Sequence, residues 1–291
     1  REVDTGVLTV KVTLPAVVAC RPAPGPYPRP APPDRLQAQA LSALMAGDGA
    51  QRISILARND PYGSGLADNT VQNLRAAGIP QNQIQKIIYD PNATSYNTEI
   101  DDIRQFNPDA IAVIGFDESK KILTRMSEVR IGPGQKLVYG TDGNMGNALG
   151  MGLPPGLLNG MKGTAPLSKL SAGFEQRLRA DDPRVVDTNY AGEAYDAVMI
   201  VALAAERAKS TKGVDIASEI NGITKDGEKC TTFRQCRDII DSGCNPDYDG
   251  VTGTLDFNAA GERAVGSYGI LKFNAQNKID EAAIQYRIVG R

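Results

Sequence analysis

The amino-acid sequence predicts an α/β fold with a doubly wound parallel sheet. One observation is a unit that recurs between Arg52 and Gly143: a short apolar strand, a polar loop, then an amphipathic helix. Another is that strands such as Ile53-Ser-Ile-Leu-Ala-Arg58 and Ala110-Ile-Ala-Val-Ile114 are apolar on both faces, as a sheet covered on both sides requires. The third is the placing of the loops. Asn59-Asp-Pro-Tyr-Gly63, Gly115-Phe-Asp-Glu118 and Gly140-Thr-Asp-Gly143 each follow a strand. In a parallel sheet such loops open at one edge, the edge where these sheets hold ligands.

Taken in order, Asp34 follows prolines and reads as the N-cap of a first helix, with Leu36, Ala40, Leu41 and Leu44 on one face and Gly47 and Gly49 at its end. After strand 53–58, Ser64 reads as the cap of a helix that points Leu66, Thr70, Val71 and Leu74 inward and stops at Gly78. Ile84–Tyr89 reads as a strand. Thr98-Glu-Ile-Asp101 matches a capping box and opens a helix closed by Pro108. Strand 110–114 leads to a helix with Ile122, Leu123, Met126 and Val129 inward. Leu137-Val-Tyr139 is the next strand. The breaker-rich run Gly150–Gly156 reads as a hinge or crossover. Helices follow over 171–180, 190–209 and 214–223; the second is apolar nearly all round and is expected to be buried. From Gly250 the pattern turns to strands at 253–257, 267–273 and 284–289.

Composition narrows the function. A formal net charge of -2 gives no electrostatic case for nucleic acid or an anionic membrane surface. No apolar run reaches the roughly 20 residues of a spanning helix. The chain has 291 residues with no His and no Trp, which excludes His-based nucleophilic triads and disfavours a zinc site. Neither a metal nor a cofactor is expected. Of its 4 cysteines, Cys230, Cys236 and Cys244 share a short polar stretch and Cys20 stands apart. The Cys230–Cys236 spacing is neither a zinc ribbon nor a redox CxxC; the residues alone leave a small disulfide loop and free thiols equally open.

Residues 1–33 differ from the rest. A β-branched run (Val7-Leu-Thr-Val-Lys-Val-Thr-Leu14) precedes a proline-dominated stretch with Gly25, Pro26, Pro28, Pro30, Pro32 and Pro33, which favours an extended linker. Val17-Val-Ala-Cys20 has the form of a lipoprotein cleavage box, but Glu2, Asp4, Lys11 and Pro15 make a poor signal peptide before it. The expectation is an unstructured or aberrant segment arising from a truncated or misread gene start.

Three rim residues are candidates for binding. Tyr62 offers a ring and a hydroxyl at the sheet edge; the alternative is a turn tyrosine packed on Pro61. Asp142, between flanking glycines, can accept charge-assisted hydrogen bonds from an ammonium group; the alternative is a turn aspartate bonding its own backbone. Phe116 can present an apolar surface, whereas Asp117 beside it reads as a helix N-cap. Gly63-Ser64-Gly65 imitates a dinucleotide loop, but the third glycine position is Asp68, whose bulk and charge oppose close helix–strand packing.

The motifs Ile55-Leu-Ala-Arg-Asn-Asp-Pro-Tyr-Gly-Ser-Gly-Leu-Ala67, Tyr139-Gly-Thr-Asp-Gly143, Tyr190-Ala-Gly-Glu-Ala-Tyr-Asp-Ala197 and Asp247-Tyr-Asp-Gly-Val-Thr-Gly-Thr-Leu-Asp-Phe257 resemble the substrate-binding proteins of branched-chain amino-acid and amide ABC importers, which are type I periplasmic binding proteins. The resemblance runs from about Pro32 to the C-terminus. It implies a periplasmic-binding-protein-like architecture of two α/β lobes that close on a ligand. Tyr62, Phe116 and Asp142 then map onto ligand-binding positions of the second lobe, Asp142 as the acid that holds the ligand's ammonium. The Cys230–Cys236 stretch resembles the actinobacterial branch, which implies a disulfide there. Family members begin with a further segment that forms most of the first lobe, so the first lobe is expected to be incomplete here. The second lobe is expected over 34–160, completed by 267–291, with the remnant of the first at 161–266.

The function so implied is extracytoplasmic solute binding without catalysis, by a monomer with room for a lipid anchor in its full-length form. Its partners would be a small amino acid or amide and a membrane permease, and the fragment would bind poorly. The competing readings are an NAD-dependent reductase using Gly63-Ser64-Gly65 and the ligand-sensing domain of a regulator, although no DNA-binding helix pair or basic arm is visible.

Overall fold

A computed structural model describes residues 32–185, 188, 190–258, 261, 263 and 265–290. The expectations for Cys20 and for residues 1–31 lie outside the described residues. The elements run α1 (Pro32–Gly47), β1 (Ile53–Arg58), α2 (Pro61–Ala76), β2 (Ile84–Tyr89), α3 (Asn97–Phe106), β3 (Ala110–Ile114), α4 (Ser119–Glu128), β4 (Leu137–Gly140), α5 (Asn147–Gly150), β5 (Lys162–Pro166), α6 (Ala172–Asp181), α7 (Ala191–Ala208), α8 (Gly213–Ile223), β6 (Glu228–Cys230), α9 (Phe233–Asp241), β7 (Pro246–Tyr248), β8 (Gly266–Lys272) and β9 (Gln285–Val289).

One sheet of 7 strands has the order β2-β1-β3-β4-β5-β8-β9. Its members through β5 are parallel, and β8 and β9 return antiparallel. Two-residue alternation divides each inner strand between two cores. Ile53, Ile55 and Ala57, with Ala110, Ala112 and Ile114, pack under Leu41, Met45, Leu66 and Leu74 of α1 and α2. Leu56, Ile111 and Val113 face the other way, onto Ile100 and Ile103 of α3 and Ile122, Leu123 and Met126 of α4. Burial of both faces is the physical reason the strands lack a polar side.

A second body is built from α7, α8, α9 and the sheet of 2 strands β6-β7. Its core joins Met199, Ile200 and Leu203 of α7 to Ile223, Cys230, Cys236, Tyr248 and Leu255. Cys230 and Cys236 form a disulfide with Cα atoms 5.3 Å apart. It fastens the end of β6 to the first turns of α9, while Cys244 is free and exposed.

Several local expectations are corrected. α1 begins at Pro32, so Asp34 lies inside the helix rather than at its cap. α2 begins at Pro61, because Asp60 rather than Ser64 caps it by accepting from the Gly63 amide. α3 begins at Asn97 behind Tyr96, so Thr98 does not cap it. α4 begins at Ser119, and Asp117 pairs with Lys120 at 2.6 Å instead of capping. Gly150–Gly156 is not the crossover. It folds back on the 274–277 turn, where Asn277 accepts from the Leu158 amide at 2.9 Å and donates to the Pro154 carbonyl at 2.8 Å. The chain leaves the large sheet only after β5, and the boundary placed at 160 therefore falls before a strand of that sheet. No strand forms over 253–257, which makes only isolated bridges.

Just upstream of that segment, the loop after β7 is held by Asp196 of α7, which is 2% exposed. Its carboxylate accepts from the amides of Val251 and Thr252, each at 2.9 Å, and from the hydroxyls of Tyr248 and Thr252 at 2.8 and 2.6 Å. It thereby commits 250–252 to a turn. α7 is also less buried than its apolar composition predicts: Val198 is 60% exposed, because the small sheet and its helices cover one side only.

Replacing Asp196 by Ala leaves several buried donors unpaired and should cost roughly 3 kcal/mol, read as a lowered denaturant midpoint; an unchanged midpoint would show that other groups hold the turn. Reducing Cys230–Cys236, or making C230S/C236S, should cost roughly 2–3 kcal/mol, since the bridge closes a short loop. Unfolding followed with and without dithiothreitol checks this.

Candidate functional site

Three loops build the rim at the C-terminal ends of β1, β3 and β4. The first is set by the Asp60 cap, with Pro61 as the opening helical residue, where its missing N–H costs nothing. Tyr62 thus stands in the first turn of α2 rather than in a free loop. The second loop is organised by Glu118, which accepts from Arg58 Nη1 at 2.9 Å, from the Tyr89 hydroxyl at 2.9 Å and from the Phe116 amide at 3.2 Å. The Arg58 guanidinium carbon lies 4.1 Å from the Phe116 ring centre. Phe116 is 41% exposed and stacks on Tyr62 with ring centres 5.3 Å apart and planes 6° from parallel. The two stacked rings pack as one apolar unit at the rim.

The third loop is a single 3₁₀ turn, Asp142–Asn144, closed by Thr141 and Asn144 capping one another. Asn144 accepts from the Thr141 amide at 2.8 Å and donates to the Val113 carbonyl at 2.9 Å and to Ser119 Oγ at 3.0 Å. The glycines around Asp142 act by closeness, not by positive φ. A Cβ on Gly143 would lie 2.3 Å from Phe116 Cδ1, and one on Gly140 would lie 2.5 Å from Asn144 Oδ1.

Tyr62 and Asp142 meet directly: the Tyr62 hydroxyl donates to Asp142 Oδ1 at 2.6 Å. With that proton committed, the contact of 2.9 Å between Thr141 Oγ1 and the Tyr62 oxygen has Thr141 as donor. Burial, then the Asp142 charge and hydrogen bond, push the Tyr62 phenol well above its ordinary range, so it remains a donor. Tyr190, just before α7, donates to Asp142 Oδ2 at 2.8 Å. Burial and the Asp142 charge raise its phenol likewise. Tyr190 lies in one of the family motifs but is not among the residues predicted for the site, since nothing in its local pattern shows that the start of α7 returns to this rim. All three predicted residues therefore share one constellation, to which the structure adds Tyr190, Thr141 and Arg58.

Arranged so, the rim offers an aromatic wall beside one carboxylate whose oxygens already accept two phenols. That suits a small solute with an apolar body and a cationic end. Among the described residues no group of three or more His, Cys, Asp or Glu could hold a metal ion, and no helix is long and apolar enough to cross a membrane. Gly63, Ser64 and Gly65 are helical, and the amides a pyrophosphate would need are taken: Gly63 by the Asp60 carboxylate at 2.7 Å and Ser64 by the Asp60 carbonyl at 3.0 Å. A separate cavity of about 180 Å³ lies between α6 and the β8–β9 edge, lined by Leu167, Ser168, Glu175, Arg179, Leu271 and Tyr286 among others. None of the candidate rim residues lines it.

Residues 23–276 match the family described as "Receptor family ligand binding region". The chain belongs to this family. Its fold is that of the type I periplasmic binding proteins. The leucine-binding protein LivK of Thermotoga maritima superposes with a TM-score of 0.65 at 16% identity, over 88% of this chain and 66% of its own. The branched-chain amino-acid transporter substrate-binding protein LivJ of Streptococcus pneumoniae, in complex with isoleucine, gives 0.62 at 18% identity, over 89% and 66%. The substrate-binding protein BasB of a chemotactic signal transduction system in Halobacterium salinarum is 26% identical over 247 residues. A metabotropic glutamate receptor-like protein E of Dictyostelium discoideum is 28% identical over 261. This chain spans 56% of the length of the halobacterial relative and 30% of the Dictyostelium one.

On α7, one turn beyond Tyr190, Glu193 is partly buried and its carboxyl lies above the usual glutamate range, chiefly through burial. A raised folded-state value means a stability contribution present at acid pH and lost as pH rises from about 4.5 through the folded value. Glu193→Gln removes that loss, so the variant's melting temperature should gain on the wild type between pH 4 and pH 7 (rough bounds for a carboxyl titration). A pH-independent difference would show that Glu193 does not titrate in this way.

Proposed function

We propose that this chain is part of an extracytoplasmic solute-binding protein of an ABC importer. Its ligand would be a branched-chain amino acid or a related small amino acid or amide, held between two lobes and delivered to a membrane permease. The observation that carries the reading is the meeting of Tyr62, Phe116 and Asp142 at one sheet rim in a member of this family. The aromatic wall would receive the apolar side chain, and Asp142 would accept the ammonium through charge-assisted hydrogen bonds. The protein makes and breaks no covalent bond in this role; lobe closure is the signal. It acts as a monomer outside the cytoplasm, a setting in which the Cys230–Cys236 bridge persists, and a lipid anchor is part of the same proposal for the full-length form.

The described residues supply one developed wall of the cleft, and the second body has a sheet of only 2 strands. Binding by this chain is accordingly impaired. A second reading is sensory rather than nutritional, favoured by the name of the halobacterial relative, which assigns it to chemotactic signal transduction; the ligand chemistry is the same and only the membrane partner differs.

Calorimetry with leucine, valine and short amides should give weak or undetectable heats, and tight binding would overturn the claim of impairment. Leucine at high concentration should shift backbone resonances of the 60–63, 115–118 and 141–144 loops, and D142N should weaken the effect about tenfold through loss of a charge-assisted bond. Shifts that map elsewhere would overturn the assignment of the site.

A further inference from the structure

We propose that Tyr190 is the positioning residue that aims the Asp142 carboxylate at a primary ammonium and, through that bond, ties the second body to the rim of the large sheet. The proposal rests on the solute-binding reading for its ligand and on geometry alone for the tie.

Tyr190 belongs to the part of the chain beyond the crossing after β5, whereas Asp142 lies on the loop after β4. Their bond, at 2.8 Å, therefore spans the two bodies and ends on the acid at the centre of the site. A second observation is independent of that contact. Tyr190 sits at φ 61° and ψ 2°, in the left-handed region, although it is neither glycine nor asparagine. Large side chains seldom adopt that conformation and keep it only where the surroundings over-determine it, as they do at ligand sites and switches. Here the unusual backbone, immediately ahead of α7, lies in the residue whose hydroxyl reaches Asp142.

The chemistry of the carboxylate fixes the ligand class. An ionised carboxylate has about four acceptor directions. The Tyr62 and Tyr190 hydroxyls fill one on each oxygen, which holds the group in one rotamer and leaves the remaining directions unfilled by either phenol. A primary ammonium brings three donors and a positive charge to such a pair of oxygens. An anionic group would be repelled, and a neutral one would lose the charge assistance. Tyr190 acts through Asp142: removing its hydroxyl frees one oxygen and lets the carboxylate turn.

The test is a thermal cycle with Tyr190→Phe, Asp142→Asn and the double variant, joined to ligand titration by saturation-transfer NMR. Y190F should lower the melting temperature of the ligand-free chain by about 2–4 °C. The same change should have no further effect in the D142N background. Leucine binding should weaken about tenfold in Y190F. Binding of 4-methylpentanoic acid, the same skeleton without its amine, should not change. Equal losses of melting temperature in both backgrounds would overturn the tie. Equal weakening of both compounds would overturn the aiming role, since Tyr190 would then be serving as apolar surface. If neither compound binds the wild type, the aiming role falls, the solute-binding reading of the whole protein stands with its impaired fragment, and the thermal cycle decides the tie by itself.

Discussion

One side-chain amide holds the rim in register. Asn144 is 2% exposed and spends its hydrogen-bonding capacity on two neighbouring loops at once: the Thr141 amide on its own turn, and the Val113 carbonyl and Ser119 hydroxyl around the loop after β3. Without that link, the loop bearing Asp142 and the loop bearing Phe116 would be independent hinges on adjacent strands. With it they are cross-linked, and the small residues around them let the backbones close to distances that a Cβ would forbid. Preorganisation of this kind lowers the entropic cost of gripping a small solute.

The same rim explains why so few polar groups are needed. The stacked rings of Tyr62 and Phe116 are rigid and apolar, Arg58 lies against Phe116 and is neutralised by Asp60 and Glu118, and the charge available to a ligand is concentrated on Asp142. Binding sites for small molecules commonly combine an apolar lining with a few convergent polar groups. The second body follows a related logic. Asp196 gathers donors from distant segments onto one buried carboxylate, so the loop beyond β7 is shaped by a side chain of α7 rather than by a sheet ladder.

Much of this was legible in the sequence, for reasons that can be named. Strands β1, β3 and β4 announce themselves because each is a short apolar run before a polar loop, and those loops carry Tyr62, Phe116 and Asp142 to one edge by topology alone. β5 was not legible: Lys162-Gly-Thr-Ala-Pro166 contains a glycine and a proline and lacks an apolar run, yet it pairs on both sides. Strands β6 and β7 are too short for any period to show. Helix starts were misplaced where a residue upstream did the capping, as Asp60 does for α2, or where none did, as at Thr98. Tyr190 lay beyond reach because its role depends on a non-local fold-back, which local periodicity does not encode. The glycines beside Asp142 stand out in the sequence, but they serve by steric proximity rather than conformational freedom.

The last strand carries a consequence for handling the protein in solution. Among the described residues β9 is the last strand of the sheet, with Tyr286 and Ile288 on it 44% and 74% exposed, and none of them pairs with its outer ladder of amides and carbonyls. In a two-fold antiparallel pairing of Gln285–Val289 with its own copy, the central residue faces itself, and that residue is Arg287. Two guanidinium groups set directly opposite one another repel. The positive charge midway along an otherwise adhesive edge thus works as a guard against head-on dimer growth, and its effectiveness fades as added salt screens it.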